Sequence, residues 1–286
     1  DNGEFKGDAI STTSELVKIS SDGNLGLEEG QKFERGGIYR FTVDVTKGNT
    51  KAVLTVEKVG KVDLPAPDIF FGNDKMEVTD TDIYKSDQAF TQGQMITVTG
   101  IDNLNEWWID PDFFEKQSDG ALKFLPINGD YRVTANAVLK YFSVMALKDG
   151  KPAKLQDDGT GAIWAIGKGI GKPSVTSSEV GWEPGKALCL AQVAPKKYQL
   201  TLKAGETLKT SGDWEAISFK FFYQNDWGGE FGNYASSILV EQLKLADSGN
   251  LEMQDNKAFE EGAVYRFTID VTNGNANADL KVEKIN

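Results

Sequence analysis

Apolar and polar residues alternate strictly from residue 265 to residue 272. Tyr265, Phe267 and Ile269 fall on one side of an extended chain, and polar residues occupy the positions between them. A period of two, built from β-branched and aromatic side chains, is typical of a strand with one buried face and one solvated face. The pattern recurs at residues 39–46 and, in shorter form, at residues 131–134, each time after a glycine. It predicts a chain built from repeated β-units.

The first of these repeats extends far beyond one strand. Residues 4–59 align without a gap to residues 230–285, at an offset of 226 positions, with 26 identities among the 56 aligned residues. A period of this length is too long for a solenoid repeat. The alignment therefore predicts a duplicated domain, complete at the end of the chain and represented only by its second half at the start.

Turn-forming residues divide the chain into three predicted units. We predict the second half of a β-sandwich at residues 1–60, an immunoglobulin-like sandwich at residues 61–157 and a complete carbohydrate-binding-like sandwich at residues 158–286. Pro65 and Pro67 favour a short, stiff linker between the first two. The fold class is all-β, as tandem sandwiches with a partial first domain, and we expect the units to follow one another like beads.

Individual strands are predicted from the same alternation, together with one short helical turn at residues 110–116, where proline follows an aspartate cap. The clearest predicted strands cover residues 16–19, 37–46, 52–59, 95–99, 131–137, 141–147, 163–167, 198–203 and 217–223. Half a sandwich leaves an open sheet edge and an uncovered face. We expect the first half, with a leader, to precede Asp1 in the natural polypeptide; the alternative is that this piece packs on its neighbours.

Composition excludes several classes of function. The chain has no histidine, which removes the commonest general base, the histidine-dependent nucleophile pairs and most zinc sites. Cys189 lies in an apolar run and is predicted to be a buried core residue and not a reactive thiol. A net charge of -12 would be repelled by a phosphate backbone, so nucleic acid is a poor candidate partner. No apolar run approaches the ~20 residues that span a membrane.

Two motifs that suggest chemistry have simpler structural interpretations. Residues 167–172 are rich in glycine and lysine, but they lack the spacing of a phosphate-binding loop and no helix follows, so a turn-rich loop is predicted. Asp110, Asp112 and Asp119 lie close together without the spacing of a calcium loop, and a solvated acidic surface is predicted. We predict no metal and no cofactor.

The tryptophans carry the strongest binding signal. Trp227 and Trp182 lie in turn-rich segments, where a flat ring can cover the apolar face of a sugar while polar neighbours bond its hydroxyl groups. The alternative for each is that it caps the end of a sheet and packs on the core. Trp214 favours the packing role, and Trp164, inside an apolar strand, is predicted to be core.

Alternation along the strand at residues 217–223 places Lys220 on the outward face, away from Phe219 and Phe221. Tyr223, Asn225 and Asp226 join the candidate site because the loop around Trp227 supplies hydrogen-bonding groups. Trp107 and Trp108 are adjacent, so in an extended chain at most one of them is expected to be exposed.

The order of signals in residues 162–286 resembles that of the glycan-binding modules of the SusE/SusF family, outer-membrane lipoproteins of starch-utilisation systems in Gram-negative gut bacteria. The resemblance recurs in residues 4–59 and leaves the middle unit as an associated immunoglobulin-like domain. It rests on residues 163–167, Gly181-Trp182, residues 198–205, Phe219-Lys220-Phe221, Trp227-Gly228, Gly249-Asn250-Leu251 and residues 262–270.

The resemblance implies a non-catalytic protein on the outer face of the outer membrane. Such a protein holds polysaccharide for a SusC/SusD-like importer and is attached by a lipid anchor, which we expect to lie upstream of Asp1, outside this chain. Carried over by position, Trp182 and Trp227 would be stacking platforms and Lys220 a hydrogen-bond donor. The loop at residues 225–234 departs from the family's starch-binding modules, so the resemblance favours a glycan without naming which one.

Two other functions stay open. A structural spacer or adhesin would bind no glycan and would present an apolar patch to a protein partner. A glycosidase would use two carboxylates at a defined separation, which sequence cannot show. The expected function is polysaccharide or oligosaccharide binding without enzymatic activity.

Overall fold

The computed structural model describes residues 5, 8–29, 31–62, 65–212 and 216–286. The chain divides into two compact units, Asp1–Ala66 and Pro67–Asn286. Both are built from β-strands, as predicted, and the single α-helix of the described residues has four residues.

The described residues of the first unit form five strands. These are β1 (Ile10–Thr12), β2 (Val17–Ile19), β3 (Leu25–Leu27), β4 (Gly37–Asp44) and β5 (Ala52–Lys61). The sheet order is β1-β5-β4, with β1 parallel to β5 and β4 antiparallel to it, and β2 and β3 form a separate hairpin.

The first part of the second unit is an antiparallel β-sandwich. Its strands are β6 (Phe70–Phe71), β7 (Asp74–Lys75), β8 (Glu77–Asp80), β9 (Ile83–Phe90), β10 (Met95–Ile96), β11 (Val98–Thr99), β12 (Phe114–Lys116), β13 (Leu122–Phe124), β14 (Gly129–Asn136), β15 (Tyr141–Lys148) and β16 (Lys151–Pro152). A five-stranded sheet, β16-β15-β14-β9-β8, is accompanied by two three-stranded sheets, β10-β13-β12 and β11-β6-β7.

Aromatic rings fill the interior of this sandwich. The ring centroids of Phe71 and Phe142 lie 5.3 Å apart and those of Phe90 and Phe124 lie 4.9 Å apart. The Tyr131 hydroxyl donates a hydrogen bond to the carbonyl oxygen of Ile127 at 2.9 Å, the kind of backbone contact made by the tyrosine corner of immunoglobulin-like domains. The predicted helical turn is a single hydrogen-bonded turn that leads directly into β12.

The last part of the second unit is the complete copy of the duplicated domain. Its strands are β17 (Trp164–Gly171), β18 (Glu179–Gly181), β19 (Leu188–Cys189), β20 (Ala191–Ala194), β21 (Lys197–Lys203), β22 (Ser218–Phe222), β23 (Ser236–Ile238), β24 (Leu243–Leu245), β25 (Leu251–Met253), β26 (Val264–Asp270) and β27 (Asp279–Lys284). The helix α1 spans Val175–Ser178, and 3-10 turns cover Pro184–Lys186 and Asn275–Asn277. A further 3-10 turn, Leu104–Glu106, lies in the first part of the unit.

Two sheets enclose the core of this copy. One has the order β18-β17-β22-β25-β24, with β19 also paired to β17, and the other has the order β20-β21-β26-β27-β23. The Phe219 and Phe221 rings of the first sheet contact Phe267 of the second, with centroid distances of 5.5 Å and 6.4 Å. The residues predicted to alternate inward therefore do form the interior.

The two copies share their strand registers as well as their sequence. Tyr39 of β4 lies opposite Lys58 of β5, and Tyr265 of β26 lies opposite Lys284 of β27, so each pair is offset by 226 residues. The hairpins β2–β3 and β24–β25 also match in register. The duplication predicted from identity is a structural duplication.

Residues Pro67–Asn286 form one compact unit. One prediction about a segment is wrong. Residues 167–172 belong largely to β17 and are not a loop. Gly167 and Gly169 adopt positive φ within this strand, and their lack of a side chain lets the backbone of residues 216–219 approach closely. No helix in the described parts of the chain is long and apolar enough to cross a membrane.

Candidate functional site

Two of the predicted site residues, Trp182 and Trp227, lie side by side. Their ring centroids are 6.4 Å apart and their planes differ by 26°. Half of the Trp227 surface is exposed (50%), and Trp182 is half-buried. The buried Phe222 contacts Trp227 edge-on at 6.0 Å. The pair is thus an aromatic surface that is open to solvent, and Phe222 packs against Trp227 from the interior side.

The loop after β22 presents Trp227. The backbone N–H of Trp227 donates to Asp226 Oδ1 at 2.7 Å, and Gln224 Nε2 donates to the Trp227 carbonyl oxygen at 2.6 Å. Gly228 has a positive φ of 83°, a left-handed conformation that favours glycine. The indole therefore projects from a loop that is held by its own hydrogen bonds.

Trp182 reaches the same surface from another strand. It follows β18, whose Gly181 lies opposite Gly167 of β17, and it precedes the 3-10 turn Pro184–Lys186. Because β18 and β22 lie on opposite sides of β17 in one sheet, side chains 45 positions apart in sequence meet.

Lys220 occupies the outer face of the same sheet. It lies opposite Ile166 of β17 and is half-buried, whereas its neighbours Phe219 and Phe221 are buried in the sandwich. Lys220 and Phe222 are two residues apart, so they share a face at a spacing of about 7 Å. Within the described residues, Lys220 forms no ion pair, and its ammonium group has three donors.

The remaining predicted residues have other surroundings. Tyr223 packs edge-on against Phe231 at a centroid distance of 4.3 Å, and its hydroxyl lies 3.5 Å from the carbonyl oxygen of Asn275, so it belongs to the rim of the core. Asn225 is half-buried, and its buried Oδ1 has no hydrogen-bond partner among the described residues. Asp226 is exposed and uses one carboxylate oxygen to hold the Trp227 loop.

Trp164, Trp107 and Trp108 serve packing. Trp164 is fully buried, as predicted, and donates its Nε1 hydrogen to the Ala153 carbonyl oxygen at 3.0 Å. Trp107 is buried against Phe142, while Trp108 is half-buried and donates to Glu206 Oε1 at 2.6 Å. Trp214, the weaker site candidate, lies outside the described residues.

A cavity of about 650 Å³ lies elsewhere in the second unit, where β14 and β15 face α1 and the turn before β19. Its lining includes Asn136, Ser143, Ser177 and Lys186. Trp182 and Trp227 are not among its lining residues, so the tryptophan pair is an open surface and not the wall of this cavity. The described residues contain no group of three His, Cys, Asp or Glu side chains placed to hold a metal ion.

Two known protein families match parts of the chain. The family model described as domain of unknown function DUF5121 matches residues 1–46 and 158–272, more than half of the chain. The chain belongs to the DUF5121 family. The two matched DUF5121 segments end at equivalent positions, Thr46 and Thr272, which again differ by 226 residues. Residues 50–155 match a second family, domain of unknown function DUF5125. No curated protein matches the chain.

A buried charge cluster joins the DUF5125 region to the DUF5121 module. Lys172 Nζ lies 2.7 Å from Asp110 Oδ2 and 3.1 Å from Asp112 Oδ2, and all three side chains are buried. Asp112 also accepts hydrogen bonds from Thr201 Oγ1 at 2.6 Å and from Gln199 Nε2 at 2.7 Å. The predicted solvated acidic surface is therefore wrong for Asp110 and Asp112, although Asp119 is exposed.

Electrostatics divide the two carboxylates of this cluster. Burial raises the pKa of Asp110, and the neighbouring charge of Asp112 raises it further. The charge and hydrogen bonds of Lys172 lower this pKa by less, so the net shift is upward. Burial acts in the same direction on Asp112, but Lys172 and the donors Thr201 and Gln199 outweigh it and lower its pKa. Burial works against the charge of Lys172, yet the two carboxylates raise its pKa. Lys172 thus lies between one carboxyl group whose pKa is raised and one whose pKa is lowered.

Sequence reasoning missed this cluster because its members are far apart along the chain. Asp110 and Lys172 are 62 residues apart, and neither stands in a motif that marks burial. The only local signal was the sequence Asp-Pro-Asp, and this sequence also occurs in exposed acidic turns, so it does not indicate burial.

Proposed function

We propose that this protein binds a polysaccharide or oligosaccharide on the Trp182–Trp227 surface and has no enzymatic activity. The observation that carries the proposal is the pairing of two solvent-accessible indole rings on the outer face of the complete DUF5121 module, beside a strand that presents Lys220. Flat aromatic rings cover the apolar C–H face of a pyranose, and polar groups nearby bond its hydroxyls.

The geometry suits an extended chain of sugars. Two rings whose planes differ by only 26° offer neighbouring platforms for successive residues of a glycan. Lys220 would supply hydrogen-bond donors, and Asp226 would hold the loop and offer its second carboxylate oxygen. Tyr223 is left out of the binding surface because it packs against Phe231.

A single open surface of this kind predicts weak binding, on the order of tens to hundreds of micromolar. Several such modules on one cell surface would raise the apparent affinity through effective concentration. We further propose, from the resemblance to the SusE/SusF family, that the natural protein is a lipid-anchored lipoprotein on the extracellular face of the outer membrane, working with a SusC/SusD-like importer.

The test is native affinity electrophoresis through gels that contain starch, xylan, mannan, pectin fractions or mucin glycans. We expect retardation in one gel, and we expect Trp227→Ala or Trp182→Ala to abolish it with an unchanged midpoint of thermal unfolding. Met95→Ala is the matched control, because Met95 is as exposed as Trp227 and lies in the other sandwich of the unit. Loss of binding that is accompanied by equal loss of stability would assign the rings to packing.

A second candidate function is a spacer or adhesin that binds a protein. The specific observation in its favour is the set of exposed apolar side chains in the first unit. Absence of retardation in every gel, from a folded protein, would favour this candidate. Catalysis by the Asp110–Asp112 pair is disfavoured because both carboxylates are buried and bound to Lys172.

A further inference from the structure

The first unit leaves uncovered the apolar face that its complete copy buries. Phe41 is 48% exposed, whereas its equivalent Phe267 is fully buried. Val45 is also 48% exposed, and its equivalent Val271 is fully buried. The same contrast holds for Leu25 and Leu251, Leu27 and Met253, Phe33 and Phe259, and Val43 and Ile269.

This face has kept the chemistry of a buried core. Phe41, Val45, Leu25 and Phe33 are identical to the residues that are buried in the complete copy. A cavity of about 480 Å³ opens between the sheet and the hairpin of the first unit, and its lining includes Ile10, Leu25, Val43 and Leu54. The solvated face of a sheet normally carries polar residues. Large apolar side chains on this face therefore indicate that another polypeptide covers it.

The complete copy shows what the cover looks like. There, β26 pairs along its length with β21, and β25 pairs with β22. Within the described residues, the equivalent strands β4 and β3 have no neighbour on those sides, because β4 ends the order β1-β5-β4 and β3 pairs only with β2. The first unit thus offers an apolar face and two open hydrogen-bonding edges at once.

We infer that the open face of the first unit is the docking surface for a half-sandwich polypeptide of the same DUF5121 module. The occupant would add one strand like β21 antiparallel to β4 and another like β22 to β3, and its aromatic residues would cover Phe41. A small apolar ligand or a lipid fits less well, because neither would satisfy the N–H and C=O groups of two strand edges. This inference is independent of the glycan site.

The experiment fuses the proposed occupant to the start of the chain. Residues 158–229 are duplicated and joined ahead of Glu4, so that the junction repeats the natural step from Gly229 to Glu230. We expect amide hydrogen exchange in β3 and β4 to slow by at least about 10-fold and the fluorescence of an apolar dye bound to the first unit to fall.

The matched control carries Leu200→Asp and Leu202→Asp in the added segment only, because both leucines are fully buried in the complete copy. This control is expected to give neither protection nor loss of dye binding. A shorter addition of residues 190–204 tests the β4 edge separately, and it should protect β4 and leave β3 unchanged. Unchanged exchange in both fusions, or protection that survives the leucine substitutions, would overturn the inference.

Discussion

At the scale of single residues, burial decides what each polar or aromatic side chain does. Trp227 and Trp164 are the same residue type in the same module, yet one is half-exposed in a loop and the other is fully buried in a strand. The local sequence predicted this difference, because turn formers surround Trp227 and apolar residues surround Trp164. It did not predict the fate of Asp112, whose partners come from other parts of the chain.

Replacing the two carboxylates of the buried cluster should have unequal effects. Asp112→Asn removes the buried carboxylate that bonds Lys172, Thr201 and Gln199 at once, and it should lower the free energy of unfolding by about 3–5 kcal/mol. Asp110→Asn should cost less, because its raised pKa shows that burial already disfavours its ionised form. Urea unfolding followed by tryptophan fluorescence measures both. A larger cost for Asp110→Asn would contradict this order of the two carboxyl groups.

The pH dependence of stability should follow Asp112. Its pKa is lowered below the ordinary value of 3.8, so its contribution is present above that value and is lost as the pH falls through the folded-state pKa. The difference in unfolding free energy between the unsubstituted protein and Asp112→Asn should be full at about pH 6 and should shrink below pH 3.8. A difference that stays constant through this acid range would contradict the sign.

Cys189 should be unreactive in the folded protein. It is buried, as predicted, and burial raises the pKa of its thiol to about 12. We expect almost no reaction with a thiol reagent at about pH 8, where the thiolate is required, and full reaction after unfolding in denaturant. Rapid modification of the native protein would show that the region around β19 opens.

At the scale of elements, glycine fixes the path of β17. A side-chain carbon at Gly167 would lie 2.3 Å from the Cα of Phe219, and Gly167 has a φ of 141°. The glycines that suggested a loop in the sequence are therefore the residues that allow this strand to pass close to β22. Composition predicted a turn because glycine marks turns more often than it marks a close approach within a sheet.

Gly167→Ala should destabilise the second unit by more than about 2 kcal/mol, because the methyl group clashes with backbone atoms and the conformation is unfavourable for alanine. Gly185→Ala is the control, since a side-chain carbon there meets nothing within 4 Å. Thermal unfolding of both variants measures the difference. Equal midpoints would show that β17 can shift to accept the methyl group.

At the scale of the whole molecule, the duplication provides its own internal comparison. The strands β4 and β26 have nearly the same sequence and the same register with β5 and β27. Only β26 also pairs with β21, and its Phe267 is buried against the facing sheet, whereas Phe41 of β4 is 48% exposed. Sequence and the pairing with β5 or β27 are held constant, so a difference in stability between β4 and β26 reports on the added neighbour β21 and on the facing sheet.

Amides of β4 should exchange with solvent at least about 10-fold faster than the equivalent amides of β26, because less apolar surface is buried around β4. Hydrogen exchange read out by mass spectrometry measures both strands in one sample. Equal exchange would show that the apolar face of the first unit is covered in solution.

The sequence alone determined the all-β class, the duplication, the clearest strands and the contrast between Trp227 in a turn-rich loop and Trp164 in an apolar strand. These features depend on local periodicity and local turn chemistry, which act over a few residues. Only the tertiary structure brought Trp182 to Trp227, buried Asp112 beside Lys172 and joined residues 67–286 into one unit. Such contacts depend on the order of strands in a sheet and on which faces pack together, and residues tens of positions apart carry no local trace of either.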